Sequence, residues 1–157
     1  KGDCSSPPVR GLKAVARVYA GWAFSQSFYR GSLYKTIGYE SFEDLLVDWE
    51  EDHAENWDAN NLLCKLRTWQ TSDISLGPTY QGDFIMALKS IKAKSILMPC
   101  TQDLYFPPED NAIEASHMKH AEFRPFDSPW GHCAANPGND SDFTQALEES
   151  LQELLEY

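Results

Sequence analysis

No stretch of this sequence stays apolar for the roughly 18 residues needed to cross a bilayer, and its start lacks the charged-then-apolar pattern of a secretion signal. A membrane protein is excluded as an expectation. Basic residues are scarce: 13 Lys and Arg stand against 24 Asp and Glu, for a net charge of −11. Nucleic-acid binding draws its affinity from clustered cations, so no nucleic-acid partner is expected. Cysteine is sparse and irregular (Cys4, Cys64, Cys100, Cys133), with no Cys-x-x-Cys pair. That spacing points to neither a disulfide framework nor a metal site, and it fits a reducing, cytoplasmic setting. Internal repeats and low-complexity tracts are absent. So is an initiating Met: the chain opens at Lys1 in a polar run, KGDCSSPPVRG, that reads as a loop from the middle of a protein. A fragment or processed chain is expected.

What remains is globular. Of 157 residues, 42% are apolar and 13% aromatic, including five Trp. That suffices for one domain, or most of one, with a packed core. Charge is uneven, because Asp and Glu concentrate after residue 40. Glu43, Asp44, Asp48, Glu50, Glu51 and Asp52 form an acidic run read most simply as a solvated helix face.

Periodicity predicts a helical first half. Over residues 9–29, Leu12, Val15, Ala16, Tyr19, Trp22, Ala23 and Phe28 recur at helical spacing despite Gly21, giving one helix, straight or kinked. Ser41 is a natural N-cap for a second helix over 41–55, and Asp58 for a third carrying Leu62, Leu63, Leu66 and Trp69 on one side. From Gly82 the pattern changes. GDFIMALKSI predicts a helix and AKSILMPCT a buried parallel strand. PPEDNAIEASHM predicts a helix that tolerates proline in its first turn, and AEFRPF a strand that Pro125 confines to a sheet edge. DFTQALEESLQELLEY, with Phe143, Leu147, Leu151 and Leu154 on one face, predicts a terminal helix. The order helix, strand, helix, strand, helix implies an α/β fold ending at a sheet edge. Two strands alone make a poor sheet, so further strands are expected upstream.

In such sheets, reactive groups gather beyond the carboxyl ends of the strands. The loop after the first strand presents Asp103, and the loop after the second presents His132 behind Gly131. Consecutive strands thus bring a carboxylate and an imidazole to one rim, as in the acid and base half of a Ser/His/Asp device. Other candidates are weaker. His117 and His120 lack further ligands for zinc, and Cys133 directly follows His132, where adjacent side chains diverge. Tyr19, Trp22, Phe28 and Tyr29 suit either core packing or the lining of an acyl channel.

The run SILMPCTQDLYFPPEDN, followed about thirty residues later by PWGH, resembles the end of homoserine O-acetyltransferase-like members of the α/β-hydrolase superfamily. The match falls on Asp103 with Phe106, Pro107 and Pro108, and on Gly131 with His132. YAGWAFSQSFYR and WDANNLLCKLRTWQTSDIS resemble that family's lid. The resemblance implies the C-terminal portion of an α/β-hydrolase fold, with residues 1–80 a helical lid and 81–157 part of the core. It implies an acyltransferase moving acetyl from acetyl-CoA, as co-substrate, to a hydroxyl acceptor such as homoserine. Asp103 and His132 would be catalytic, with no permanently bound cofactor and no metal.

Two features depart from the family. No Gly-x-Ser-x-Gly elbow occurs, so the nucleophile and an N-terminal part of the core are expected to lie elsewhere, leaving this segment inactive alone. After Gly-His the chain continues Cys133, Ala134, Ala135, Asn136, Pro137, which admits an esterase as the alternative. A third reading is a non-catalytic helical interaction module, with the lid helices forming a homodimer surface.

Overall fold

The computed structural model describes residues 5–136 and 138–156. Its described residues fall into two compact units, one of residues 5–22 and 29–72, the other of 23–28 and 73–156.

The first unit is helical. Helix α1 (Val9–Ala23) begins the chain, and α3 (Phe42–Asn56) and α4 (Ala59–Thr71) follow a short 3-10 turn, Leu33–Ile37. Ser41 caps α3 as expected. Its side chain accepts the Asp44 N–H at 3.1 Å while the Asp44 carboxylate accepts the Ser41 N–H at 2.8 Å, the reciprocal arrangement that satisfies two orphan donors. Asp58 caps α4 by accepting the Asn61 N–H at 2.8 Å.

The single helix expected over 9–29 is two. It breaks after Ala23, and α2 (Gln26–Arg30) restarts because Ser25 Oγ accepts the Phe28 N–H at 3.0 Å. The buried face of α1 is Leu12, Ala16, Ala20 and Ala23, whereas Val15 and Trp22 are exposed. Leu12 and small alanines, not Val15 or Trp22, line the packed stripe. On α4, Leu63, Leu66 and Trp69 are likewise exposed.

The acidic run on α3 is exposed apart from half-buried Glu50, as read from the sequence, and it also makes polar contacts. Glu43 and Glu50 pair with Arg17, Asp48 accepts the Tyr39 hydroxyl at 2.6 Å, and Asp52 accepts the Trp57 indole N–H at 2.9 Å. Trp49, His53 and Trp57, four residues apart, form a ladder of stacked rings. His53 is buried, stacks on Trp57 at 4.3 Å and places Nδ1 2.9 Å from the Trp49 carbonyl.

The second unit is α/β. Helix α5 (Phe84–Lys89), capped by Asp83, leads to strand β1 (Ser95–Leu97). Helix α6 (Pro108–His117) crosses to strand β2 (Ala121–Phe123), and α7 (Ser141–Leu155), capped by Asp140, closes it. The strands pair in parallel, Ser95 with Ala121 and Leu97 with Phe123. Both prolines in these runs shape the ladder. Arg124 and Phe126 donate to the Leu97 and Pro99 carbonyls at 2.8 and 2.9 Å, so Pro125 between them turns its missing donor to the outer edge, as expected. Pro99 lies in phase with Ser95 and Thr101, which donate to the neighbouring chain segment, and it has no N–H to give. The ladder is therefore interrupted and resumes as an isolated parallel bridge, Cys100 with Phe126. The core beside this sheet includes Phe24, Phe28, Ala87, Leu88, Trp130 and Phe143. Of the aromatics considered as channel lining, Phe28 is fully buried and stacks on Phe24 at 4.1 Å, while Tyr29 donates to the Ala20 carbonyl at 2.7 Å. No described helix is long and apolar enough to cross a membrane.

Candidate active site

The Cys100–Phe126 bridge is the last point at which the two strands hold each other, and the site is built immediately beyond it. After β1 the chain turns at once, with the Asp103 N–H bonded to the Cys100 carbonyl at 3.1 Å. The Asp103 carboxylate then folds forward. Its Oδ1 accepts the backbone N–H groups of Tyr105 at 2.6 Å and Phe106 at 3.1 Å, an Asx turn that fixes the carboxylate plane.

Beyond β2, the loop is pinned from several sides. Asp127 accepts the Thr101 hydroxyl and the Gln102 amide, the latter at 3.2 Å, which ties the second loop to the first and holds the Asp127 carboxyl below its ordinary range. Fully buried Ser128 donates to Asp140, the cap of α7, and accepts the Trp130 N–H at 3.2 Å. Trp130 packs its ring 5.2 Å from Phe28. Gly131 follows at φ +60°, and His132 stands on the first turn of a short 3-10 helix, Gly131–Ala135, in a segment the sequence reading treated as open loop.

Asp103 and His132 meet. His132 Nδ1 lies 3.0 Å from Asp103 Oδ2, with the imidazole side chain 28% exposed and the carboxylate 9%. An ionised carboxylate only accepts, so this contact places the proton on Nδ1 and leaves Nε2 as the basic nitrogen. Asp103 is thus engaged through both oxygens, one by backbone and one by imidazole. Two rings adjoin the imidazole: Tyr105 at 4.6 Å and an interplanar angle of 29°, and Phe106 at 5.4 Å. Tyr105 was not singled out from the sequence, which carries no signal that its ring lies against the imidazole. A depression of about 370 Å³ beside the pair is lined by Asp103, Phe106, Gly131 and His132, together with the buried Cys100 and Phe143.

The remaining candidates stay apart from this chemistry. Burial, reinforced by the Asp103 charge, pushes the Cys133 thiol up to about 11, so at neutral pH it is not the thiolate a Cys/His pair requires. His117 ends α6, and the His120 carbonyl accepts the Ser95 N–H at 3.0 Å. Among the described residues, no group of three or more His, Cys, Asp or Glu could hold a metal ion.

No family model matches the chain. An ethyl acetate hydrolase of Pseudomonas veronii is 32% identical over 151 residues, which is 96% of this chain and 42% of that protein. The crystal structure of the acetyl esterase MekB superposes with a TM-score of 0.87 at 32% identity, covering 95% of this chain and 42% of that one. A homoserine O-acetyltransferase from Bacillus anthracis superposes with a TM-score of 0.72 at 23% identity, covering 92% of this chain and 42% of that one, a likeness of fold. The chain spans about two fifths of the length of the curated relatives it matches. Its architecture, a helical region followed by helix, strand, helix, strand, helix, is the C-terminal portion of an α/β-hydrolase fold.

Proposed function

We propose that this chain supplies the acid and the base of a Ser/His/Asp triad in an esterase that cleaves short acyl esters, acetyl esters foremost. The observation that carries the reading is the 3.0 Å contact between Asp103 and His132 on the rim beyond two parallel strands. The similarity to an ethyl acetate hydrolase and to an acetyl esterase supports the substrate class.

In this reading a serine hydroxyl from polypeptide outside these 157 residues attacks the ester carbonyl, and His132 Nε2 takes its proton. Asp103 holds Nδ1–H and stabilises the imidazolium that forms. The proton passes to the departing alkoxide oxygen, which leaves as the alcohol and gives an acyl-serine. Water, deprotonated by the same nitrogen, attacks the acyl carbon, releasing the carboxylic acid and restoring the serine. The test is the His132→Ala substitution in the active enzyme, assayed for acetate release from ethyl acetate. Turnover falls by about three to four orders of magnitude if His132 is the base, whereas turnover near the parent's removes the assignment.

A second reading replaces water with a hydroxyl acceptor and takes acetyl-CoA as donor. The Asp103, Phe106, Pro107, Pro108 and Gly131, His132 pattern and the fold likeness to a homoserine O-acetyltransferase favour it. Offering an activated acetyl ester with and without homoserine separates the two: acetate in both cases supports the esterase, and O-acetylhomoserine supports the transferase.

A further inference from the structure

One hydrogen bond holds one atom of a ring. With Nδ1 tied to Asp103, coupled changes in χ1 and χ2 of His132 still let the imidazole plane swing, and with it the direction in which Nε2 presents its lone pair. A flat group laid against the imidazole face removes that freedom. The Tyr105 ring is such a group, with its centroid 4.6 Å from that of His132 and the planes 29° apart. It is held in turn: its own backbone N–H is bonded at 2.6 Å to Asp103 Oδ1, and its ring lies 4.9 Å from Phe106 in an edge-to-face arrangement. The same turn therefore orients the carboxylate through main-chain donors and the imidazole through a side chain.

We infer that Tyr105 is a positioning residue, whose ring fixes the plane of the His132 imidazole while Asp103 fixes its tautomer. The part assigned to turnover rests on the acid and base reading of the pair; the part assigned to ring order does not. Because the carboxylate is held by the Tyr105 backbone, removing the side chain leaves the Asp103 contacts in place, and the two roles separate.

The experiment compares Tyr105→Leu and Tyr105→Phe in the active enzyme carrying labelled histidine. It reads the His132 Nδ1–H resonance together with kcat and KM. Tyr105→Leu is expected to broaden that resonance into exchange with water and to lower kcat by about a hundredfold, with KM changed by less than about twofold. Tyr105→Phe, which keeps the ring and loses the hydroxyl, is expected to match the parent in both measurements, and its melting temperature controls for folding. A sharp parental resonance in Tyr105→Leu, or a Tyr105→Phe variant as impaired as Tyr105→Leu, overturns the inference. If His132→Ala proves fully active, the acid and base reading fails separately, and the resonance alone decides the role of Tyr105. If His132→Ala is inactive, an unchanged kcat in Tyr105→Leu overturns it as well.

Discussion

The backbone of Gly131 passes so close to that of Ser25 that a Cβ on residue 131 would lie 2.8 Å from the Ser25 nitrogen and 3.1 Å from the Gln102 carbonyl oxygen. Neither neighbour is a flexible side-chain tip. Gly131 also sits at φ +60°, where L side chains are strained. Gly131→Ala therefore meets both a conformational and a steric cost, and it destabilises by about 1–3 kcal/mol. Denaturant melts measure the loss. Because His132 is the next residue, its Nδ1–H resonance shifts in the same variant. A Gly131→Ala protein with parental stability contradicts the close approach.

Asp103→Asn keeps the size and the backbone-accepting oxygen of the side chain but can present an amide N–H to His132. That donor favours the tautomer with the proton on Nε2, the nitrogen needed as base. On the triad reading, kcat for ester hydrolysis drops by about 10⁴ while the fold is retained. Steady-state kinetics beside a melting curve check both halves. Activity within about tenfold of the parent contradicts a role for the carboxylate beyond packing.

Cys133 is buried, with its thiol pushed up to about 11, whereas Cys64 is exposed. Iodoacetamide at pH 8 is expected to modify Cys64 and to spare Cys133, read by peptide mass mapping. The same shift has a stability consequence. Below pH 9, the thiol's ordinary value, it is neutral in folded and unfolded states, and its favourable burial is fully present. As pH rises from about 9 to about 11 the unfolded thiol ionises first, so stability is lost across that window. Cys133→Ala flattens this part of the stability profile; an unchanged alkaline slope in that variant argues against the buried thiol as its source.

The reciprocal cap at the start of α3 yields a coupled pair. Ser41→Ala and Asp44→Ala each expose one orphan backbone donor, and each costs about 1 kcal/mol. Part of the cost is shared, so the double variant loses less than the two added together. Urea melts of the single and double variants test this, and strict additivity tells against reciprocal capping.

The signals that survived from sequence to structure are local ones. Ser41 and Asp58 cap helices because each is a short acceptor placed just before a run of helical periodicity, within reach of the first free N–H groups. Asp103 and His132 meet because each closely follows one of two neighbouring parallel strands. Features that depend on what packs against what were not legible. On α1 the face read from the sequence was right for Leu12, Ala16 and Ala23, but it took in exposed Val15 and Trp22 and passed over Ala20, because hydropathy favours larger side chains over alanine. The pairing of two acidic residues of α3 with Arg17 was not legible because Arg17 lies 26 residues before Glu43 and 33 before Glu50. Tyr105 was passed over because a ring two positions beyond an aspartate gains meaning only once the imidazole is known to lie against it.

The interrupted ladder has an effect on which lengths of chain this site can tolerate. Past the Cys100–Phe126 bridge, two residues lead to Asp103 and five lead to His132. Those two spans act as rulers. Adding or deleting a residue within either one carries its reactive group off the rim. Extra residues in the exposed turn around Lys119 leave both rulers untouched, since it joins α6 to β2 well before the bridge. Variation in length among related chains should therefore concentrate in such turns and be nearly forbidden in the two short tethers.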